Sequence, residues 1–324
     1  MDPRTAIQRL SQRYRLDARS IRRLQQLAEL DQEPPQLLPT LWRGLTLFAA
    51  TLGGGGAIMW VAANWDSFGR WGQFTLLQAW VALACLGAWM RPAVRTPLAV
   101  LAFLGIGALW AYFGQTYQTG ADAWGLFALW AMLGVPLCLA TRSDALWLPW
   151  AMVVVTGISL WSYSHTGHRW EIKSADWPVY LIAWGMAIGL CALLSQAAQR
   201  WTGAGLWSFR LAVTLTVVMV TSIGIDGLFA QTIAFSAYAA LAVTIVAALV
   251  LLLRECFEIY AVSAVALGLN VQLIGICTHW LSRDAHGDFV GELFVLVVLA
   301  ATLLALSVGA ILRLARRYAK EEAR

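Results

Sequence analysis

Charge is scarce in this chain. Only 13% of its 324 residues are Asp, Glu, Lys or Arg, about half the share of a soluble domain. Hydrophobic residues make up 60% and the mean hydropathy is +0.65. That composition excludes a soluble enzyme, a disordered tail and a coiled coil. Cysteine is also sparse: five residues, an odd number, with no CxxC pair, so no disulfide scaffold is indicated. Cys85, Cys138, Cys191 and Cys277 lie in or near apolar runs, where a thiol behaves as a small hydrophobe. Cys256 falls in a short loop beside Arg254 and Glu255. No secretory signal is visible, because the residues before the first apolar run are polar and Arg-rich. That run, from near Gly44, reads as an uncleaved signal-anchor. There is no GxSxG, P-loop, HExxH or Rossmann glycine pattern, so no catalytic residue and no cofactor is expected.

What is present is a series of long apolar runs. Ten spans are expected: 44–63, 72–90, 97–113, 123–140, 145–163, 177–194, 209–225, 232–253, 259–277 and 290–312. Each is long enough to cross ~30 Å of hydrocarbon as a helix, the third and seventh being the shortest. Loop charges test the layout independently. With the amino terminus in the cytoplasm, every inner segment carries at least one Arg. Only Arg70, Arg169, Lys173 and Arg283 of the 23 basic residues fall outside. The net charge of +5 is then an orientation signal, and no nucleic-acid partner is expected. The expected fold is an all-α integral membrane protein of about ten transmembrane helices with both termini cytoplasmic. Residues 1–40 form a helix pair and linker, 41–316 the transmembrane domain and 317–324 a charged tail. Trp42, Trp65, Trp71, Trp89, Trp147, Trp161, Trp177, Trp207 and Trp280 fall at span ends, where an indole prefers the headgroup level. Pro136, Pro149 and Pro178 read as kinks or first-turn residues.

Residues 2–33 read as two short amphipathic helices. Ala6, Ile7, Leu10 and Tyr14 make one stripe, and Ile21, Leu24, Leu27, Ala28 and Leu30 the other, with Asp17 or Ser20 as a cap. Arg9, Arg13, Arg15, Arg19, Arg22 and Arg23 line the polar faces. Anionic lipid headgroups are the expected partner, each basic residue near the surface being worth about 1 kcal/mol. A protein-contact pair is the alternative. Pro34, Pro35 and Pro39 make an extended linker into the first span.

Unusual polarity collects at the outer ends of the spans. The first outer turn holds Asn64 and Asp66, and the second Gln115, Tyr117, Gln118 and Asp122. His165 and His168 fall in the third outer loop, His279 and His286 in the fifth. With nearby carboxylates they are weak candidate Zn²⁺ ligands, but their spacing is not that of a helical two-His motif, and solvated loop histidines explain them as well. In the ninth span Ser263, Asn270 and Cys277 share a face, with Gln272 on another. An intramembrane amide serves either as helix–helix glue or as a ligand contact. No Asp, Glu, Lys or Arg lies mid-span, which argues against a proton relay of buried carboxylates. Gly53 to Gly56 in the first span mark close packing or a hinge.

Two turns carry a family resemblance. Ala62-Ala63-Asn64-Trp65-Asp66 follows a Gly-rich first span, and Phe113 to Asp122 leads on to Leu129-Trp130 and Pro136-Leu137. These runs resemble the bacterial predicted membrane proteins of domain of unknown function 2157, over roughly residues 5–145. The resemblance implies a bacterial inner membrane and no assigned activity. It also implies a second membrane protein, of the GDYXXLXY type, as partner. Asn64, Asp66, Gln115, Tyr117, Gln118 and Asp122 match the family's outer turns.

The functional expectation is transporter-like handling of a small solute or lipid, through an outward-facing polar vestibule lined by those residues with Asn270 deeper. The alternative is a non-catalytic subunit that assembles with another membrane protein.

Overall fold

A computed structural model describes residues 13–14, 16–17, 19–20, 23–24, 37–64, 67–117, 122–167, 172–230, 232–253, 256–284 and 289–322. Most of the amino-terminal helix pair and Pro34 and Pro35 lie outside these residues, as do Asp66, Gln118, His168 and His286. Among the described residues the ten long elements are helices: α1 Leu37–Ala63, α2 Arg70–Met90, α3 Arg95–Tyr117, α4 Ala123–Thr141, α5 Asp144–His165, α6 Trp177–Leu194, α7 Leu206–Leu228, α8 Phe235–Leu251, α9 Ile259–Asp284 and α10 Phe289–Glu322. Each expected span overlaps one of them. Eight helices among the described residues have the length and hydropathy to cross a membrane. The third and seventh, expected to be short, are 23-residue helices. The short one is α8, with 17 residues, because residues 232–234 join the connection, where the Ala234 N–H donates to the Gly227 carbonyl at 2.9 Å.

The chain divides into two compact units, Met1–Gly53 and Gly54–Arg324. In the first, the Ser20 N–H donates to Asp17 Oδ1 at 3.1 Å, the geometry of a helix cap. The start of α1 carries Thr46 and Thr51, whose hydroxyls return to carbonyls of their own helix.

The second unit runs from the end of α1 to the chain's end. Of the glycine run, a Cβ on Gly54 would meet Leu101 Cδ2 at 3.0 Å, while Gly55 and Gly56 face open space. Close packing therefore accounts for one glycine of that stretch. Neighbouring helices pack in sequence from α2 to α5. Thereafter α7 is the hub, touching α5, α6, α8 and α9. Fully buried alanines recur on these five helices: Ala151, Ala183, Ala187, Ala212, Ala240 and Ala261. Small side chains let helix backbones approach where lipid offers no hydrophobic driving force. Pro136 and Pro149 lie inside α4 and α5, and Pro178 occupies the first turn of α6.

Several Trp side chains do more than anchor. Trp71, Trp89 and Trp280 are well exposed, as interface residues should be. Trp147 departs from the expected role: it is 1% exposed, and its Nε1 donates to the Thr202 carbonyl at 3.2 Å. The reason is that α5 is covered by α4, α6 and α7, so its first turn meets protein.

One polar joint holds α5 to α7. Arg142 ends α4 in the left-handed conformation (φ 48°), and Ser143 caps α5. The Asp144 carboxylate then accepts from the backbone N–H groups of Gly205, Trp207 and Ser208, at 2.8, 3.2 and 3.3 Å, and from the Ser208 hydroxyl at 2.6 Å. These are the orphan donors of the α7 amino terminus, satisfied by a residue of another helix.

Candidate functional site

Helix α9 carries two buried amides, Asn270 and Gln272, and its placement starts at its first turn. Glu258 Oε2 accepts from the Ala261 N–H at 2.7 Å, while Oε1 pairs with Arg210 of α7 at 2.8 Å. The Arg210 guanidinium also lies over the rings of Trp207 and Tyr260. Further along, Gly268 and Gly275 face α7: a Cβ at Gly268 would come within 2.7 Å of Val217, and one at Gly275 would overlap Ile225. Close approach along this seam fixes the rotation of α9. It sends Asn270 toward α10 and Gln272 toward α8.

Asn270 is 8% exposed. Its Nδ2 donates to Ser307 Oγ of α10 at 3.1 Å, and Ser307 in turn donates to the Leu304 carbonyl at 3.0 Å. The pair lines a cavity of about 250 Å³ between α9 and α10, together with Ser263, Leu267 and Val308. Ser263 spends its own hydroxyl on the Ile259 carbonyl. The lining is thus mostly apolar with one amide in it, a composition suited to an apolar molecule carrying few polar groups.

Gln272, which the sequence left without a role, is more deeply buried at 4% exposure. Its Nε2 donates to Thr244 Oγ1 of α8 at 2.9 Å. A cavity of about 110 Å³ lies beside it, between α7, α8 and α9. The sequence shows Gln272 as a second amide of the ninth span but not its partner, a hydroxyl on another helix.

The outer-turn residues sit at helix ends. Asn64 is half-buried and its Nδ2 returns to the Trp60 carbonyl at 3.0 Å. Gln115 and Tyr117 are exposed in the last turn of α3, with the Tyr117 ring 4.8 Å from that of Phe113. Asp122 is exposed and its Oδ2 accepts from Ser164 Oγ at 2.6 Å, tying the start of α4 to the end of α5. Neither cavity above is lined by these four residues. Beneath them the buried Tyr112 hydroxyl donates to Gln73 Oε1, joining α3 to α2.

His165 is exposed, its Nδ1 2.8 Å from the Trp161 carbonyl and its ring against Trp161. His279 is half-buried beside the Phe229 ring. Among the described residues no three His, Cys, Asp or Glu side chains form a group able to hold a metal ion. The five cysteines are free.

Long apolar helices, small residues at their contacts and apolar faces turned outward define a multi-pass α-helical membrane protein. Within that class, residues 8–147 match the family described as Predicted membrane protein (DUF2157). The match ends in the first turn of α5, so Asn270 and Gln272 lie beyond it. No curated protein and no solved structure matches the chain.

Proposed function

We propose that this chain is a bacterial inner-membrane protein, spanning ten times with both termini in the cytoplasm, that handles a small solute or lipid in transporter-like fashion. The observation that carries the reading is the Asn270–Ser307 pair on the wall of the α9–α10 cavity. An amide used only as glue between two helices needs no cavity around it. Here Nδ2 is bonded to Ser307, and the residue lines a cavity bordered by exposed aliphatic side chains, Leu267 and Leu304 among them. That supports entry from the bilayer by a largely apolar molecule. In this reading the outer turns, with Asn64, Asp66, Gln115, Tyr117, Gln118 and Asp122, supply the polar rim that faces water. The amino-terminal helix pair rests on anionic headgroups.

Native mass spectrometry of gently extracted full-length protein tests the reading. The wild type retains a bound small molecule or lipid, and Asn270→Leu, with the same branched shape but without the amide, loses it. If the variant keeps the same bound species while its stability falls, Asn270 is glue alone and the reading is wrong.

A second reading, a non-catalytic subunit assembled with another membrane protein, is favoured by α10. No part of its most apolar window is buried, and its apolar faces are open along its length, from Phe294 to Leu312. Stoichiometric co-purification of a second membrane protein in mild detergent supports that reading, and purification of the chain by itself opposes it.

A further inference from the structure

The direction of the Gln272 amide is determined by its neighbour. Thr244 has one hydroxyl proton, which goes to the Ala240 carbonyl of its own helix at 2.8 Å. Toward Gln272 the Thr244 oxygen therefore acts as an acceptor, and the 2.9 Å contact requires the amide nitrogen. A flipped amide would set oxygen against oxygen. What remains is Oε1, an acceptor that is fully buried and has no hydrogen-bond partner.

Space adjoins it. The 110 Å³ cavity is bounded by Gly224 of α7, Leu241 of α8, and Gln272, Ile276 and Trp280 of α9. It is of the same order as the ~150 Å³ apolar cavity that holds benzene. Trp280 and Tyr238 on its border are 64% and 60% exposed, so the cavity communicates with the outside of the helix bundle. Gln272 lies nine residues before the end of the apolar stretch Ile259–Leu281, about 14 Å along the helix. A phospholipid headgroup does not reach that depth, and an ammonium would lose its hydration for a single neutral acceptor. Ordered water needs two to four polar partners, and the cavity's only buried polar side chain is Gln272.

We propose that the cavity between α7, α8 and α9 binds a membrane-dissolved alcohol or phenol, its hydroxyl donating to Gln272 Oε1 and its apolar body lying against Leu241 and Ile276. The site is separate from the α9–α10 cavity and stands whether or not a ligand binds there.

The test is fluorine NMR on the full chain in phosphatidylcholine nanodiscs, with empty nanodiscs correcting for partition. The probes are 4-fluorophenol and 4-fluoroanisole, which share a ring and differ in the O–H. The phenol binds saturably, and about five- to tenfold more tightly than the anisole, the usual worth of one such bond. Gln272→Met removes that preference. Ala237→Leu fills the cavity from α8 without touching the amide, and abolishes binding of both probes even if the Met variant folds poorly. Displacement by 1-dodecanol identifies long-chain lipid alcohols as occupants, and its failure restricts the site to compact ones. Equal affinity for phenol and anisole, or phenol binding that survives both substitutions, overturns the proposal.

Discussion

The indole N–H of Trp130 on α4 donates to the carbonyl of Phe103 on α3 at 2.8 Å, and its ring fills the place where Gly107 has no side chain. The same device recurs nearby. Trp80 of α2 reaches the Leu101 carbonyl at 3.3 Å beside Gly105, and Trp150 of α5 reaches the Ala131 carbonyl at 2.8 Å beside Gly134. In each case an indole lies beside a glycine and a carbonyl three or four residues earlier accepts its N–H, although at Gly134 the Phe103 ring is closer still. Neighbouring helices from α2 to α5 are thereby keyed in rotation as well as held together.

Adding a methyl group at Gly107 should therefore be costly. We expect Gly107→Ala to destabilise the protein by about 1–3 kcal/mol, the usual effect of overpacking, as a lowered unfolding midpoint in detergent. In a Trp130→Leu background the same change should be nearly neutral. Gly185→Ala is the control: nothing lies within 4 Å of its Cβ position, so the substitution should stabilise α6 by up to about 1 kcal/mol.

The Asp144 carboxylate holds three backbone N–H groups and one hydroxyl at the start of α7. Asp144→Ala leaves those donors unmet, and a loss of about 2 kcal/mol is expected. Hydrogen exchange should speed up at Gly205, Trp207 and Ser208 while the middle of α7 is unchanged. Uniform acceleration across α7 would mean that the joint is not a cap.

Asp17 gives a pH-dependent prediction. Hydrogen bonds from the Ser20 side chain and backbone hold its carboxyl below the usual aspartate range. A depressed folded-state value means that the cap is stabilising above the unfolded value near ~4. The effect is lost as pH falls through the lower folded value. Ser20 amide exchange should be slower in the wild type than in Asp17→Ala at neutral pH, and the difference should vanish in strong acid.

The positions of the helices were legible in the sequence because hydrophobicity along the chain needs no partner to be read. The start of α8 was not, since Ile233 and Ala234 are as apolar as the helix they precede, and it is the bond from the Ala234 N–H to the distant Gly227 carbonyl that draws them into the connection. Trp147 looked like the other Trp residues at span ends. Burial of that turn depends on helices far along the chain. Asp144 reads locally as a first-turn acid of α5, and its partners 61 to 64 residues away have no local signature. Among site residues, Asn270 was visible as an intramembrane amide. Gln272 was equally visible, but its unmet oxygen follows from where Thr244 sends its proton.

The α9–α10 cavity beside Asn270 is proposed to hold a small molecule or lipid. A lipid-embedded structure of the full chain measures this most directly. Discrete non-protein density against Asn270 and Ser307 is expected in the wild type, and its loss in Asn270→Leu with the helix positions retained. Helices α9 and α10 closed on each other around a filled seam, with no such density in the wild type, would contradict it.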